Sequence, residues 1–226
     1  MNYETTVVGR FLERPNRFIA IVEVDGAAQV CHVKNTGRCR ELLLPGARVV
    51  LAAAKNPARK TAYDLVAVYK GERLINMDSQ APNLAAAEYL RRQFPGGTVR
   101  PEVTAGKSRL DFSVETEAGT AYIEVKGVTL ERDGAVLFPD APTARGAKHL
   151  RELARLAAEG YDARVLFVIQ MADVGYFAPN RETDPAFADA LLAAADAGVT
   201  VEAVDCIVTE NEMRIGGPVP VRLSDK

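Results

Sequence analysis

Several residue types are scarce in this chain, and each scarcity argues against a class of protein. The 226 residues include no tryptophan, only two histidines and only three cysteines. Cys31, Cys39 and Cys206 are an odd number without CxxC spacing, which supports neither a disulfide framework nor a zinc knuckle. His32 and His149 have no cysteines at matching spacing, so a zinc site is not predicted. Without tryptophan or an aromatic cluster, the sequence gives no support to a sugar-binding module.

Long apolar runs are also missing. No stretch approaches the ~20 apolar residues that a membrane helix needs. The first residues, Met-Asn-Tyr-Glu, do not form a basic segment that leads into an apolar core, so no signal peptide is predicted. We therefore expect a cytoplasmic protein without a membrane partner. The apolar share of 48% is typical of a folded globular chain and excludes a disordered one.

The net charge of −2 hides an asymmetry along the chain. Residues 1–82 contain 12 Lys and Arg against 8 Asp and Glu, a balance of +4. Residues 83–226 contain 16 against 22, a balance of −6. A basic part suits a polyanionic partner, whereas an acidic part suits a metal ion. The length allows two domains, and we place them at 1–82 and 83–226.

The first part of the chain has the pattern of a small all-β barrel. Asp25-Gly26 lies between two β-rich runs and predicts a hairpin turn. Residues 41–44 are capable of forming a short helix. The predicted strands are 5–12, 17–24, 29–33, 47–53, 63–70 and 73–76. About five short strands in this length favour an OB-like fold, and an SH3-like barrel is the alternative.

The second part alternates strands with helices. Helices are predicted over 83–94, 143–159 and 185–197, the last with Asp184 as its N-cap and Pro185 in its first turn. Strands are predicted over 108–115, 120–126, 165–170 and 199–204. This alternation predicts an α/β domain with a mixed central sheet flanked by helices.

A cluster of charged residues is predicted in the hairpin around Glu117-Ala118-Gly119. With the turn centred there, Asp111 lies directly opposite Glu124, and Lys126 shares their face of the sheet. Facing carboxylates repel each other, and a divalent cation would remove that penalty. A salt-bridged surface hairpin is the alternative. The opposite face predicts a core made of Leu110, Phe112, Val114, Ile123 and Val125.

The order of these elements resembles the PD-(D/E)XK nuclease core, in which an acid of the preceding helix often joins the site. Glu88 has the matching place, although a solvated helix acid is equally compatible with the pattern. As a mechanism we hypothesise that Asp111, Glu124 and the Val125 carbonyl, together with Glu88, hold Mg²⁺ (or Mn²⁺). Lys126 would position the attacking water.

Further polar residues are candidates for contacts with nucleic acid. We expect DNA-binding contacts from loop residues Arg38, Arg40, Arg59 and Lys60, and from Lys148 and Arg151 on the second helix. The alternative for the helix is an ordinary solvated face. His149 is either a general acid or a structural hydrogen-bonding residue, and Gln170 is a weaker candidate for a supporting role.

A longer set of motifs runs from about residue 14 to residue 204. It includes Asn35-Thr36-Gly37-Arg38, Pro45-Gly46, Arg59-Lys60-Thr61, Asp111-Phe112, Glu124-Val125-Lys126-Gly127, Phe138-Pro139-Asp140-Ala141-Pro142-Thr143 and Lys148-His149-Leu150. These motifs resemble the sugar fermentation stimulation protein A (SfsA) family. The resemblance implies an OB-like domain joined to a PD-(D/E)XK-like domain, DNA binding, and a regulatory role in sugar (maltose) metabolism; nuclease activity is inferred from the second domain.

Several questions stay open at the level of sequence. One reading is a Mg²⁺-dependent nuclease that acts on DNA, and the other is a non-enzymatic regulator that binds DNA. The residues do not decide between DNA and RNA or between single and double strands. They leave the oligomeric state open, a dimer included.

Overall fold

The computed structural model describes residues 1–35, 37, 39–56, 58–106 and 108–224. The chain forms two compact units. The first consists of Met1–Ala81 together with two later pieces, Gln170–Ala172 and Cys206–Arg214. The second consists of Pro82–Ile169, Asp173–Asp205 and Ile215–Lys226. Within the described ranges, no helix is both long enough and apolar enough to cross a bilayer.

The first unit contains a closed barrel. Its strands are β1 (Thr6–Asn16), β2 (Ile19–Val24), β3 (Ala27–Val33), β4 (Arg48–Ala53), β5 (Tyr63–Lys70) and β6 (Arg73–Asn76). The strand order is β3-β2-β1-β4-β5-β6, and a parallel pairing of β3 with β5 closes the first five strands into a ring. The OB-like barrel is therefore confirmed.

Local turn chemistry sets the register of this barrel. Asp25 and Gly26 both have positive φ, 50° and 79°, which a two-residue hairpin turn between twisted strands requires. Inward-facing positions alternate along the paired strands, so that Phe11, Ala20 and Val22 are buried. The short helix considered for residues 41–44 does not form, because the chain makes a hydrogen-bonded turn from Cys39 before Pro45-Gly46.

The second unit is built on a six-stranded mixed sheet with helices. Its elements are α1 (Ala81–Gln93), β7 (Thr98–Ala105), β8 (Ser108–Thr116), β9 (Gly119–Val128), β10 (Leu130–Arg132), β11 (Ala135–Phe138), α2 (Ala144–Ala158), β12 (Asp162–Ile169), β13 (Tyr176–Pro179), α3 (Pro185–Asp196), β14 (Thr200–Val208) and β15 (Met213–Pro218). The main sheet has the order β15-β14-β12-β9-β8-β7. β12 runs parallel to both β9 and β14, whereas β8 is antiparallel to β9. The α/β fold with a mixed sheet is confirmed.

Five strands of this unit were not predicted, and their positions explain why. β7 contains Pro101, which argues against a strand in the sequence, and its backbone has a positive φ at Glu102. The structure tolerates both because β7 is the edge strand and pairs only with β8. β10 and β11 form a hairpin whose turn is Asp133-Gly134, the same signal as Asp25-Gly26. Of the remaining two, β13 has only four residues, and β15 ends in Gly-Gly-Pro, which is typical of a turn.

Two capped helix starts lie next to each other in the second unit. Thr143 is the N-cap of α2 and accepts a hydrogen bond from the Gly146 N–H at 3.1 Å. Asp184 is the N-cap of α3 and accepts from Phe187 N–H at 2.9 Å, which confirms the prediction for that helix. Its second carboxylate oxygen accepts from the Thr143 N–H at 2.7 Å. One carboxylate therefore connects the first turns of two helices.

Candidate functional site

The hairpin of β8 and β9 has the register that the sequence predicts. Phe112 pairs with Ile123, and the pairing continues to Thr116 and Gly119. Continuing it in the other direction by one residue places Asp111 opposite Glu124. The predicted core face is confirmed, since its five apolar residues are all buried.

Glu124 lies at the centre of the site and is only 2% exposed. Its Oε1 atom accepts hydrogen bonds from the Lys126 ammonium and from Nδ1 of His149, which lies on α2. Its Oε2 atom is buried and has no hydrogen-bond partner among the residues that the structure describes. An unpartnered buried carboxylate oxygen is costly, because burial removes it from water without compensation. One side of this carboxylate is thus satisfied by the protein and the other side is not.

Asp111 is held from two directions. Its Oδ1 accepts from the Asn83 side-chain amide of α1 at 3.0 Å, and its Oδ2 accepts from the backbone N–H of Val125 at 2.8 Å. Burial, and next the negative charge of Glu124, raise the pKa of Asp111. The two hydrogen bonds and the positive charge of Lys126 oppose that rise. The charge of Glu124 acts on the pKa of Asp111 in the same direction as burial, so ionising both carboxylates is unfavourable.

The donor set fits a hard divalent cation. Mg²⁺ is usually bound through one or two carboxylates and completes its shell with waters and substrate phosphates. The unpartnered Oε2 of Glu124 beside the ionisable Asp111 supplies oxygen ligands of that kind. In the described part of the chain, no group of three or more His, Cys, Asp and Glu side chains is arranged around one ion. A cation here would therefore depend on two carboxylates, backbone oxygen and water.

Models of a known protein family match almost the whole chain. The family model described as "SfsA N-terminal OB domain" matches residues 12–77, and the one described as "Sugar fermentation stimulation protein RE domain" matches residues 80–212. The chain belongs to the SfsA family. This confirms the resemblance carried by the sequence motifs.

Individual SfsA relatives match over their full length. The sugar fermentation stimulation protein homolog of Desulfitobacterium hafniense (strain Y51) is 53% identical over 225 residues, covering 99% of each chain. The homolog of Ruminiclostridium cellulolyticum is 51% identical, covering 99% of this chain and all of the relative. A solved structure, "The structure of Pyrococcus Furiosus SfsA in complex with Ca2+", superimposes with a TM-score of 0.88 at 27% identity and 98% coverage of both chains.

The other residues predicted for this SfsA site lie in different surroundings. Glu88 lies on the exposed part of α1, the helix that also supplies Asn83 to Asp111. Val125 is buried, and its N–H is bonded to Asp111. Gln170 does not join the carboxylates. It follows the end of β12 and belongs to the first unit, where its side-chain amide donates a hydrogen bond to the side chain of Asn76.

The basic residues predicted to bind DNA are distributed over both units. Arg40 and Lys60 are exposed in the first unit, and Lys148 and Arg151 are exposed on α2 in the second. Arg59 is engaged by a bidentate ion pair with Asp64, at 2.8 and 3.0 Å. The charge of Arg59 is therefore partly neutralised before any ligand arrives. Arg38 lies outside the described residues.

Two contacts at the site could not be read from the sequence. Asn83 was recognised only as part of a helix start, and its bond to Asp111 spans 28 residues. His149 was weighed between a general acid and a structural residue, and the structure gives it a direct contact with Glu124 across 25 residues. The only features of the sequence that could have indicated these two contacts are a polar residue at a helix start and a histidine on an otherwise leucine-rich helix face.

Proposed function

We propose that this SfsA chain is a Mg²⁺-dependent nuclease that hydrolyses phosphodiester bonds in DNA. The observation that carries the proposal is the buried, unpartnered Oε2 of Glu124 in a cluster with Asp111 and Lys126. A purely structural hairpin would satisfy both oxygens of a buried carboxylate. A site that receives a cation leaves one of them available.

The residues of the cluster have distinct tasks in this proposal. Asp111 and Glu124, with the carbonyl of Val125 and with water, hold the cation. Glu88 lies on the exposed part of α1 and is not assigned a metal contact, because no third acidic side chain joins the two carboxylates among the described residues. When bound, the cation stabilises negative charge on the phosphate and favours ionisation of a water molecule. Lys126 donates one of its three N–H groups to Glu124. In this proposal the other two N–H groups orient the attacking water or a phosphate oxygen.

A relative supports the choice of a divalent cation. The SfsA of Pyrococcus furiosus is described as a complex with Ca²⁺, and the present chain shares its fold. Ca²⁺ and Mg²⁺ both prefer oxygen ligands, and Mg²⁺ keeps more of its waters. A site with two carboxylates leaves most of the ion's coordination to water and substrate, which favours Mg²⁺, or Mn²⁺, as the ion that supports hydrolysis.

The proposed partner, DNA, is supported by charge and fold. Residues 1–82 carry a net charge of +4, and they form an OB domain, a fold whose strands and loops often bind oligonucleotides. Arg40 and Lys60 are exposed there. Phosphate contacts by such side chains fix the position of a nucleic acid without reading its sequence.

A non-enzymatic DNA-binding regulator, with a role in sugar (maltose) metabolism, is the second candidate. One observation favours it: in the described ranges, no three metal-binding side chains surround a single point. In this case Lys126 and His149 would serve only as hydrogen-bond partners of the buried Glu124 carboxylate. DNA binding would then need no metal and would survive Asp111→Ala.

The test is a hydrolysis assay on single-stranded DNA, double-stranded DNA and RNA with Mg²⁺ or Mn²⁺. We expect cleavage by the wild type and a loss of at least about 100-fold for Glu124→Gln and for Lys126→Met, since each removes a group that acts at the reacting phosphate. Glu117→Gln is the matched control, because Glu117 is an exposed acid in the turn of the same hairpin. It should cleave like the wild type.

Two outcomes would contradict the proposal. If the wild type leaves all three substrates intact with either metal, the chain is not a nuclease of this kind. If cleavage persists unchanged in Glu124→Gln and Lys126→Met, the activity belongs to another site or to a contaminant. Metal-independent, salt-sensitive DNA binding without cleavage would favour the regulator.

A further inference from the structure

His149 connects α2 to the central carboxylate of the site. The residue is 6% exposed, and its Nδ1 is bonded to Oε1 of Glu124. Its other ring nitrogen, Nε2, lies 3.4 Å from Nε of Arg145, one turn earlier on the same helix. The imidazole therefore has a partner on both sides.

The identities of these partners define the hydrogen-bond directions. An arginine side chain has only donors, so Arg145 requires Nε2 of His149 to act as an acceptor. The proton of the neutral ring then lies on Nδ1, which donates to the Glu124 carboxylate. This chain of bonds runs from Arg145 through His149 to Glu124.

The consequence for Glu124 is a fixed orientation. Lys126 and His149 both donate to Oε1, and neither donates to Oε2. Lys126 is only two residues away on the same strand, whereas His149 approaches from a different element. A carboxylate tied from a strand and from a helix cannot exchange its two oxygens by rotation without breaking two hydrogen bonds.

We propose that His149 is a positioning residue: by donating to Oε1 of Glu124 it presents Oε2 of that carboxylate to the divalent cation. The inference rests on the metal site of the proposed function and goes beyond it by assigning a role to a residue outside the carboxylate and lysine set. Groups that orient a metal-binding side chain contribute to metal affinity even though they do not touch the metal.

The test compares two replacements of His149 that have the same shape. Asparagine and leucine branch alike at Cγ, but only asparagine has a donor nitrogen two bonds beyond Cβ, where Nδ1 of histidine lies. Affinity for Mn²⁺ alone is measured by calorimetry on the full chain, without nucleic acid. We expect His149→Leu to weaken Mn²⁺ binding about 10- to 100-fold. His149→Asn should stay within about 3-fold of the wild type, because the oriented donor is restored.

A stability control separates positioning from folding. Leu153 is a fully buried residue of the same helix. Leu153→Ala should lower the melting temperature of the protein while leaving its Mn²⁺ affinity within about 3-fold of the wild type, because it opens a cavity without removing any hydrogen-bonding group. A loss of affinity that follows melting temperature across all variants would overturn the positioning role.

The remaining outcomes distinguish this inference from the proposed function. Wild-type affinity in His149→Leu, or affinity in His149→Asn as weak as in His149→Leu, overturns the role of His149. If the wild type binds no Mn²⁺, the metal site and the positioning role both fail. If the wild type binds Mn²⁺, and the variants behave as expected, but no substrate is cleaved, the role of His149 stands and the nuclease assignment fails.

Discussion

At the scale of single residues, the candidate site lowers the stability of the folded protein. Asp111 and Glu124 occupy facing positions of one hairpin, and burial, and next the negative charge of Glu124, raise the pKa of Asp111. Asn83, His149 and Lys126 relieve part of this cost by hydrogen bonding. What they leave is a buried carboxylate oxygen with no partner in the described part of the chain, which is typical of a functional site and atypical of a hairpin that serves stability alone.

The first prediction concerns Asp111→Asn. A raised pKa means that ionised Asp111 is disfavoured in the folded state, so its charge costs stability above the ordinary carboxyl pKa of about 4. In EDTA at pH 7 the variant should therefore melt at a higher temperature than the wild type. The difference should shrink as the pH falls through the raised pKa of Asp111 and vanish below about pH 4.

Mn²⁺ should reverse this order of melting temperatures between the wild type and Asp111→Asn. A ligand at 100 times its dissociation constant stabilises a protein by about 2.7 kcal/mol. Adding Mn²⁺ should raise the melting temperature of the wild type and have little effect on Asp111→Asn. A variant that is less stable than the wild type in EDTA, or that gains as much from Mn²⁺, would contradict the assigned roles.

The second prediction concerns Arg59 and Asp64. Burial acts to raise the pKa of Asp64, but the hydrogen bonds and charge of Arg59, with His32 and Lys34, outweigh it and lower the pKa. The pair therefore contributes stability above a pH of about 4, and this contribution is lost as the pH falls through the lowered pKa of Asp64.

Urea unfolding at pH 7 should show Arg59→Met to be less stable by at most about 1 kcal/mol, because part of the pair is exposed to solvent. The difference should disappear at acid pH, where Asp64 is protonated. Lys60→Met, which removes the neighbouring exposed cation, should change the free energy of unfolding by less than about 0.5 kcal/mol. An equal loss at acid and neutral pH would show that Arg59 acts by packing rather than by charge.

At the scale of elements, helix caps place the residues of the site. α2 carries His149, and its first turn is fixed by Thr143, whose own N–H is bonded to the N-cap of α3. Asp184 thereby serves two helices with one side chain. The same scale explains the strands that pattern reasoning missed, since an edge strand tolerates a proline and a positive φ that an inner strand does not.

The third prediction is made at this scale. Asp184→Ala removes the acceptors of the Phe187 and Thr143 N–H groups in a mostly buried position. We expect a loss of about 1–3 kcal/mol in the free energy of unfolding, measured by urea titration. The control is Asp189→Ala, which removes an exposed acid of the same helix that pairs with Arg181. It should cost less than about 0.5 kcal/mol, and equal losses for the two variants would argue against the shared cap.

At the scale of the whole molecule, charge is divided along the chain. The near-neutral total conceals a first part at +4 and a second part at −6, and part of the acidic excess belongs to the carboxylate cluster. A polyanion and a divalent cation make opposite demands on local charge. A chain divided in this way has a basic part suited to a polyanion and an acidic part suited to a cation, while its net charge stays near zero.

The fourth prediction concerns binding of double-stranded DNA. Each phosphate contact contributes about 0.9 to the slope of the logarithm of affinity against the logarithm of salt concentration. Lys60→Ala should therefore weaken binding and reduce that slope by about one. Lys55→Ala is the matched control, because Lys55 lies between the same two strands but is paired with Glu4 at 2.8 Å. A slope that is the same for all three proteins would exclude Lys60 from the DNA contacts.

The sequence by itself determined what depends on neighbours along the chain. The Asp25-Gly26 turn fixed one hairpin, and a short turn fixed the register of β8 and β9, because side chains alternate along paired strands. The convergence of Asp111, Glu124 and Lys126 follows from that register. The same reasoning could have found the Asp133-Gly134 hairpin, whose turn carries the same signal.

Only the tertiary structure decided which side chains reach this cluster from elsewhere. Asn83 and His149 lie on helices and are 28 and 25 residues away in sequence from the carboxylates that they contact. The periodicity of apolar residues does not predict how a helix is rotated relative to the sheet on which it packs. The fold also paired Arg59 with Asp64 and removed Gln170 from the site. Local pairing placed the two carboxylates together, and helix packing decided that Oε1 of Glu124 is satisfied while Oε2 is not.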